Sequence, residues 1–241
     1  MDFEKAHKLS IVPAIILCLL SALSILLTSL YWVITDWVTG RWVVVPSEYP
    51  EKDRWPNDDV VIDYTQASTN ATITAGCLNL ACSVVAIIAW QRLRNHELDT
   101  NFNAPLRRFY VIAVYITGTF SSVASLTALI LHFTDKGDDK WGCTSTTGRT
   151  SNTPAKGIPF TNLLCSREIG ACNFLTPQLA GKSLQLMASS ACNTAVTAKW
   201  LQLIMVLFSI AVMVMFFFQA KLRRKVRWSL HSNAPDAKSP F

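Results

Sequence analysis

Long apolar stretches without charge alternate along the chain with shorter polar segments. Four stretches contain no Asp, Glu, Lys or Arg, and they cover residues 9–34, 67–91, 109–134 and 200–220. A helix needs about 20 apolar residues to cross the hydrocarbon core of a bilayer, and each stretch reaches that length. Helices in soluble cores are rarely so long and so uniformly apolar. The pattern predicts spanning helices at about residues 9–34, 70–91, 109–133 and 196–220.

The predicted fold class is therefore an all-α membrane protein, a bundle of four transmembrane helices with a disulfide-containing extracellular or lumenal loop between the third and fourth. Residues 1–220 form the membrane domain, with outer loops at 35–69 and 134–195, and residues 221–241 form a basic cytosolic tail. The first apolar stretch is longer than the core of a cleavable signal peptide, so we expect it to be retained as an anchor.

The distribution of charge predicts the orientation of the chain. Hydrophobic residues make up 51% of the 241 residues and charged residues only 16%, with a net charge of +6. Basic residues concentrate at 91–108 and 221–227, whereas the 35–69 loop is rich in Asp and Glu. Because basic residues favour the cytosolic side, both termini are expected in the cytosol of a plasma-membrane or endomembrane protein. This explanation of the net charge makes a nucleic-acid partner unnecessary.

The expected partners are the bilayer itself and other membrane proteins or further copies of the chain. A basic run directly after the fourth helix anchors that helix and attracts anionic lipids of the inner leaflet. Its members are Lys221, Arg223, Arg224, Lys225 and Arg227.

Four of the seven cysteines lie in the second outer loop, at Cys143, Cys165, Cys172 and Cys192. An even number of cysteines on the oxidising side of a membrane predicts two disulfides, and three connectivities remain open. A metal site is disfavoured because the cysteines are not closely paired and no histidine lies between them.

Other polar and aromatic residues have both a functional and a structural interpretation. Asn70 begins a glycosylation sequon, although its closeness to the membrane disfavours the modification. Aromatic residues of the first loop either form a protein-contact surface or pack on the second loop and the headgroups, and packing is favoured. Asn79 is read as an interhelical hydrogen-bonding residue, and small residues at four-residue spacing indicate close helix packing. The residues 144–159 are expected to form a mobile tip, and a helix is expected to run from Thr176 into the fourth span.

No hydrolase, kinase or nucleotide-binding motif occurs, and the four histidines are scattered. We therefore expect no catalytic residues, no metal site and no cofactor. An enzyme is the less favoured interpretation.

The last third of the chain resembles MARVEL-like four-span (tetraspan) proteins of filamentous fungi. The residues that carry the resemblance are Cys192-Asn193-Thr194-Ala195, then Lys199-Trp200-Leu201, an apolar last helix and a basic tail. Tetraspanins carry a Cys-Cys-Gly that is absent here, and the first loop lacks the cysteine pair of claudin-like proteins. The resemblance implies a role in organising membrane domains or vesicle traffic.

The leading functional hypothesis is a non-enzymatic scaffold that organises membrane domains, traffic or protein complexes. The alternative is an accessory to small-molecule transport or secretion, or a membrane-embedded enzyme with an unrecognised polar cavity.

Overall fold

A computed structural model describes residues 3–46, 57–94, 104–149 and 159–232. Its α-helices are α1 Phe3–Val33, α2 Ala67–Arg94, α3 Ala104–Thr134, α4 Arg167–Ile169, α5 Thr176–Gln178 and α6 Gln185–Ser232. Turns of π-helix follow α1 and α4, at Ile34–Val38 and Gly170–Leu175.

Four of these helices are long and apolar enough to cross a membrane, which confirms that prediction. The candidate spans are Lys8–Val38, Ala67–Arg94, Ala104–Thr134 and Gln185–Arg223. The expected helix from Thr176 into the fourth span is interrupted. Gly181 adopts a left-handed φ of 77°, and its backbone N–H donates to Gln185 Oε1 at 2.9 Å where α6 begins. A residue without Cβ suits such a turn.

The chain divides into two compact units. The first consists of Met1–Ser21, Cys77–Val123 and Ile204–Phe241, and the second of Ala22–Gly76 and Ala124–Leu203.

The first unit is built from helical segments that pack through small and apolar side chains. Its buried core comprises Ala14, Leu17, Cys82, Ala86, Ala89, Leu93, Val114, Met205, Val212 and Phe216. Ser121 Oγ donates to Asn79 Oδ1 at 2.5 Å, and the Ser122 and Ser209 hydroxyls lie 2.6 Å apart. Asn79 therefore forms the interhelical hydrogen bond that the sequence predicts.

The second unit contains a four-stranded sheet, which corrects the all-α prediction for the loops. Its strands are β1 Trp42–Pro46, β2 Asn57–Thr65, β3 Thr144–Arg149 and β4 Pro159–Ser166, in the order β1-β2-β4-β3. β1 pairs with β2 and β3 with β4 in antiparallel fashion, whereas β2 and β4 are parallel. The two predicted outer loops thus fold together, because each supplies two strands of one sheet.

Alternating burial explains why these segments form strands. Val60, Ile62 and Tyr64 of β2 are buried, and Asp63 between them is exposed. A period of two places these side chains on opposite faces of the sheet. The buried face joins a core with Leu163, Cys165, Phe174 and Leu175, among others.

The first part of the predicted mobile tip is a strand. Residues Thr144–Arg149 form β3, and residues 150–158 lie outside the described residues. The first-loop aromatics differ in their exposure. Tyr64 is buried, whereas Trp37 and Trp42 are exposed by 81% and 63%. Tyr49 and Trp55 also lie outside the described residues.

Candidate functional site: a buried ionic cluster

Two adjacent residues of opposite charge, Arg167 and Glu168, begin the short helix that follows β4. Ser166 caps this helix, and its Oγ accepts from the Ile169 backbone N–H at 3.4 Å. Serine is a favoured N-cap because its hydroxyl satisfies one of the unpaired N–H groups of the first turn. The strand and the cap together fix the direction in which the two charged side chains leave the backbone.

The guanidinium of Arg167 is buried among groups from three parts of the second unit. Its Nη2 donates to Asp36 Oδ2 at 3.0 Å, and its Nη1 donates to Thr69 Oγ1 at 3.1 Å and to the Thr65 carbonyl at 3.4 Å. The side chains of Arg167 and Asp36 are only 3% and 8% exposed. This salt bridge therefore lies in a poorly solvated environment, where charge interactions are strong.

Aromatic rings enclose the same guanidinium. Its Cζ lies 5.6 Å from the centre of the Trp32 ring and 5.5 Å from that of Tyr64, both within the range of cation–π attraction. Trp32 Nε1 also donates to Asp36 Oδ2 at 2.7 Å. Arg41 reaches the same carboxylate oxygen at 3.5 Å, but its side chain is 51% exposed.

Glu168 forms the second half of the arrangement. Lys199 Nζ of α6 donates to Glu168 Oε1 at 2.8 Å, and His132 Nδ1 of α3 lies 3.1 Å from Oε2. Burial is the largest influence on the pKa of Glu168 and raises it, but the hydrogen bonds from His132 and Lys199 and the electrostatic attraction of these two groups lower it by more. The net pKa lies below its ordinary value, so the carboxylate is ionised at neutral pH.

His132 extends this chain of polar groups to α2. Its Nε2 lies 3.0 Å from Thr72 Oγ1, and the Thr72 hydroxyl donates to the Ser68 carbonyl at 2.8 Å. Because an ionised carboxylate only accepts hydrogen bonds, Nδ1 carries a proton toward Glu168. Hydroxyl, imidazole and carboxylate follow one another in the order of a nucleophilic triad, although the Thr72 hydroxyl donates to the Ser68 carbonyl and not to the imidazole. Thr72 is 0% exposed, however, so a substrate cannot reach its hydroxyl in this packing.

We call Asp36, His132, Arg167, Glu168 and Lys199 the ionic cluster. Through this cluster, the helical segment that begins at Arg167 contacts three elements, namely helix α3, helix α6 and the π-helical turn that follows α1. Thr69 and Thr72 add the start of α2. Arg167 and Glu168 are thereby linked, by hydrogen bonds and ion pairs, to segments of all four long helices within the second unit.

The cluster and the neighbouring Tyr64 contain buried polar atoms that have no hydrogen-bond partner among the described residues. They are Asp36 Oδ1, Arg167 Nε and the Tyr64 hydroxyl. Burial raises the pKa of Tyr64 well above its ordinary value, and the negative charge of Asp36 raises it further, so the phenol remains neutral. An unsatisfied buried polar group costs about 1–3 kcal/mol, so this arrangement is not the one that would maximise stability.

The four predicted loop cysteines form two disulfides, as expected, and the structure selects one connectivity. Cys143 pairs with Cys165, and Cys172 pairs with Cys192. Strands β1–β4 and the residues from Arg167 to Leu179 that follow β4 share one buried core, and we call them the sheet region. The first pair lies inside this core, where both residues are at most 1% exposed. The second joins the π-helical turn after α4 to α6.

The remaining predicted site residues lie apart from the ionic cluster. Asn70 is exposed near the start of α2, but Thr72 of its sequon is buried. Lys221 is exposed, whereas Arg223 is buried and its Nη2 donates to the Leu93 carbonyl at 2.6 Å. The residues Arg224, Lys225 and Arg227 belong to α6, but their side chains lie outside the described part. Glycosylation and lipid binding at these positions stay predictions.

Sequence reasoning did not identify the ionic cluster. Its members lie at the ends of apolar stretches or within a loop, where isolated charges are ordinary. The adjacent Arg167 and Glu168 between two cysteines were the available local signal, and their partners are between 31 and 131 residues away.

Comparison with protein-family models, with curated proteins and with solved structures finds no match to this chain. The resemblance to MARVEL-like fungal proteins therefore receives no support from these comparisons.

Proposed function

We propose that this protein is a non-enzymatic four-span membrane scaffold that presents the disulfide-framed sheet region to neighbouring proteins. In this proposal it organises membrane domains, traffic or protein complexes, with both termini in the cytosol. The observation that carries the proposal is the attachment of the sheet region to segments of all four long helices by Arg167 and Glu168. A surface that recruits partners gains affinity when it is preorganised, since less conformational freedom is lost on binding.

Exposed apolar side chains on the sheet region add support. Trp42 and Val44 of β1 and Leu164 of β4 are exposed by 63%, 48% and 47%. Their register places them on the face opposite the buried Val43, Val60 and Leu163. Exposed aromatic and aliphatic groups of this kind are typical anchors of protein interfaces.

The test compares substitutions of the two arginines, Arg167 and Arg41, that contact the Asp36 carboxylate. Full-length protein carrying a fluorescent tag is expressed at matched surface abundance as wild type, Arg167→Met or Arg41→Met. Lateral diffusion is measured by photobleaching, and the size of solubilised complexes by native electrophoresis. We expect slowly diffusing wild type in large complexes, loss of both properties in Arg167→Met, and wild-type behaviour in Arg41→Met.

Glu168→Gln provides a milder variant if Arg167→Met is not delivered to the membrane. It retains the shape of the side chain and removes only the charge that faces Lys199 and His132. Free diffusion of the wild-type protein as a monomer would contradict the scaffold proposal.

An enzyme is the second candidate, because Thr72, His132 and Glu168 have the order of a nucleophilic triad. Its test is labelling of the native protein with a fluorophosphonate that reacts with activated hydroxyls, with Thr72→Val as the control. The burial of Thr72 leads us to expect no labelling. Labelling of the wild type that disappears in Thr72→Val would establish the enzyme instead.

A further inference from the structure

The two disulfides differ in their accessibility to solvent. Cys143 and Cys165 are 0% and 1% exposed and belong to the core of the sheet region. Cys172 and Cys192 are both only partly buried. A thiolate must reach a sulfur atom to exchange with a disulfide, so access separates the two bonds kinetically.

The Cys172–Cys192 bond also joins elements that are already held together without it. Glu168 precedes Cys172 by about one helical turn, and Lys199 follows Cys192 by seven residues, which is close to two turns of α6. The salt bridge of 2.8 Å between Glu168 and Lys199 therefore connects the same two elements as the disulfide.

Apolar packing directly beside both cysteines supplies a further connection. Ala171 and Ala191, the neighbours of Cys172 and Cys192, are both 0% exposed and lie in one buried cluster with Ile34. Phe174 and Leu175 are also fully buried, in the core of the sheet region. Opening the disulfide would leave these contacts in place.

The Cys143–Cys165 bond has the opposite character. It is enclosed by core side chains, and Gly137 packs so closely on the backbone of Cys143 that a Cβ could not be accommodated there. A reagent can reach these sulfur atoms only when the sheet region opens.

We propose that Cys172–Cys192 is a site of reversible thiol–disulfide exchange with external dithiols, whereas Cys143–Cys165 is structural. A thiolate of the dithiol attacks one sulfur, forms a mixed disulfide and releases the other cysteine as a thiolate. The second thiol of the dithiol then attacks the mixed disulfide. The dithiol leaves as a disulfide, two electrons and two protons pass to the protein, and Cys172 and Cys192 remain as thiols.

The experiment measures reduction at each cysteine in the folded, full-length protein. Protein in lipid nanodiscs is first treated with N-ethylmaleimide to block free thiols. It is then incubated with graded dithiothreitol and labelled with iodoacetamide, and each cysteine is quantified by peptide mass spectrometry. We expect Cys172 and Cys192 to become labelled about tenfold faster or more than Cys143 and Cys165, because only the latter require opening of the core. In denaturant the two pairs should react alike.

A parallel incubation with reduced thioredoxin distinguishes the source of the dithiol. Reduction of Cys172–Cys192 by both reagents assigns the site to protein and small dithiols, and reduction by dithiothreitol alone restricts it to small ones. Equal rates for the two disulfides under native conditions, or earlier reduction of Cys143–Cys165, would overturn the proposal.

Paired variants test whether the exchange leaves the fold intact. The double variant Cys172→Ser, Cys192→Ser should keep the wild-type pattern of limited proteolysis, whereas Cys143→Ser, Cys165→Ser should expose new cleavage sites in the sheet region. Loss of the wild-type pattern in the first double variant would make its disulfide structural and contradict the proposal.

Discussion

Replacing Arg167 by Met removes a buried cation while retaining much of the aliphatic length of the side chain. Asp36, whose side chain is 8% exposed in the wild type, then loses its closest cationic partner. Two other groups still contact the same carboxylate oxygen, namely Trp32 Nε1 at 2.7 Å and the half-exposed Arg41 at 3.5 Å. The substitution therefore tests how strongly one buried cation holds the sheet region.

Removing one partner of a buried ion pair typically destabilises a protein by about 3–5 kcal/mol, because the remaining charge is left without compensation. The two remaining contacts of Asp36 place the expected loss for Arg167→Met near the lower limit, at about 3 kcal/mol. For a chain of this size, this loss corresponds to a Tm lower by about 6–12 °C. Arg41→Met should change stability by less than about 1 kcal/mol, since exposed ion pairs contribute little.

Thermal unfolding of the purified protein in nanodiscs, followed by tryptophan fluorescence, measures these differences. Adding Asp36→Leu to Arg167→Met should recover about half of the loss, because an apolar pair leaves no charge buried. If Arg167→Met unfolds no earlier than Arg41→Met, the burial of the salt bridge has no energetic consequence and our reasoning is wrong.

Three further predictions follow from other parts of the structure. Because the pKa of Glu168 is lowered in the folded state, its contribution to stability is complete above the unfolded pKa of about 4.3 and is lost as the pH falls through the folded pKa. Between pH 7 and pH 3, the Tm of Glu168→Gln should therefore fall less than the Tm of the wild type. Gly137→Ala should lower Tm more than Gly118→Ala, because the new Cβ meets the backbone of Cys143 in the first case and a flexible methionine side chain in the second. Asn79→Leu should destabilise the protein by about 1 kcal/mol in nanodiscs, since an interhelical hydrogen bond is lost; an unchanged Tm would contradict the packing role.

The spanning-length helices could be predicted because their signal is local and long. A run such as residues 9–34 contains no charge, so hydropathy alone identifies it. The number of disulfides could be predicted for a different reason, since it required only the count of loop cysteines and an oxidising compartment. Their connectivity required the fold, because Cys165 and Cys172 are close in sequence but bond to different partners.

The sheet was missed because its central pairing is not local. β2 and β4 pair in parallel, with Val60 opposite Thr161, about 100 residues away in the chain. The spacing of Val60, Ile62 and Tyr64 at every second residue was a local sign of β2. An apolar Val61 interrupts the alternation, and proline and acidic residues before it favour a loop interpretation. Tertiary pairing therefore decided a segment whose own sequence was ambiguous.

The use of charge where the sheet region meets the helices has a physical rationale. An apolar contact tolerates small displacements, because dispersion and burial depend weakly on direction. Salt bridges and hydrogen bonds do not tolerate such displacements. If the segment that begins at Arg167 shifts by one residue, Arg167 and Glu168 lose their partners and buried charges are left unpaired. Replacing the cluster by apolar residues could raise stability, yet it would remove the penalty against alternative registers. We therefore expect the charges to specify one docked position, which is the property that a scaffold with a fixed recognition surface requires.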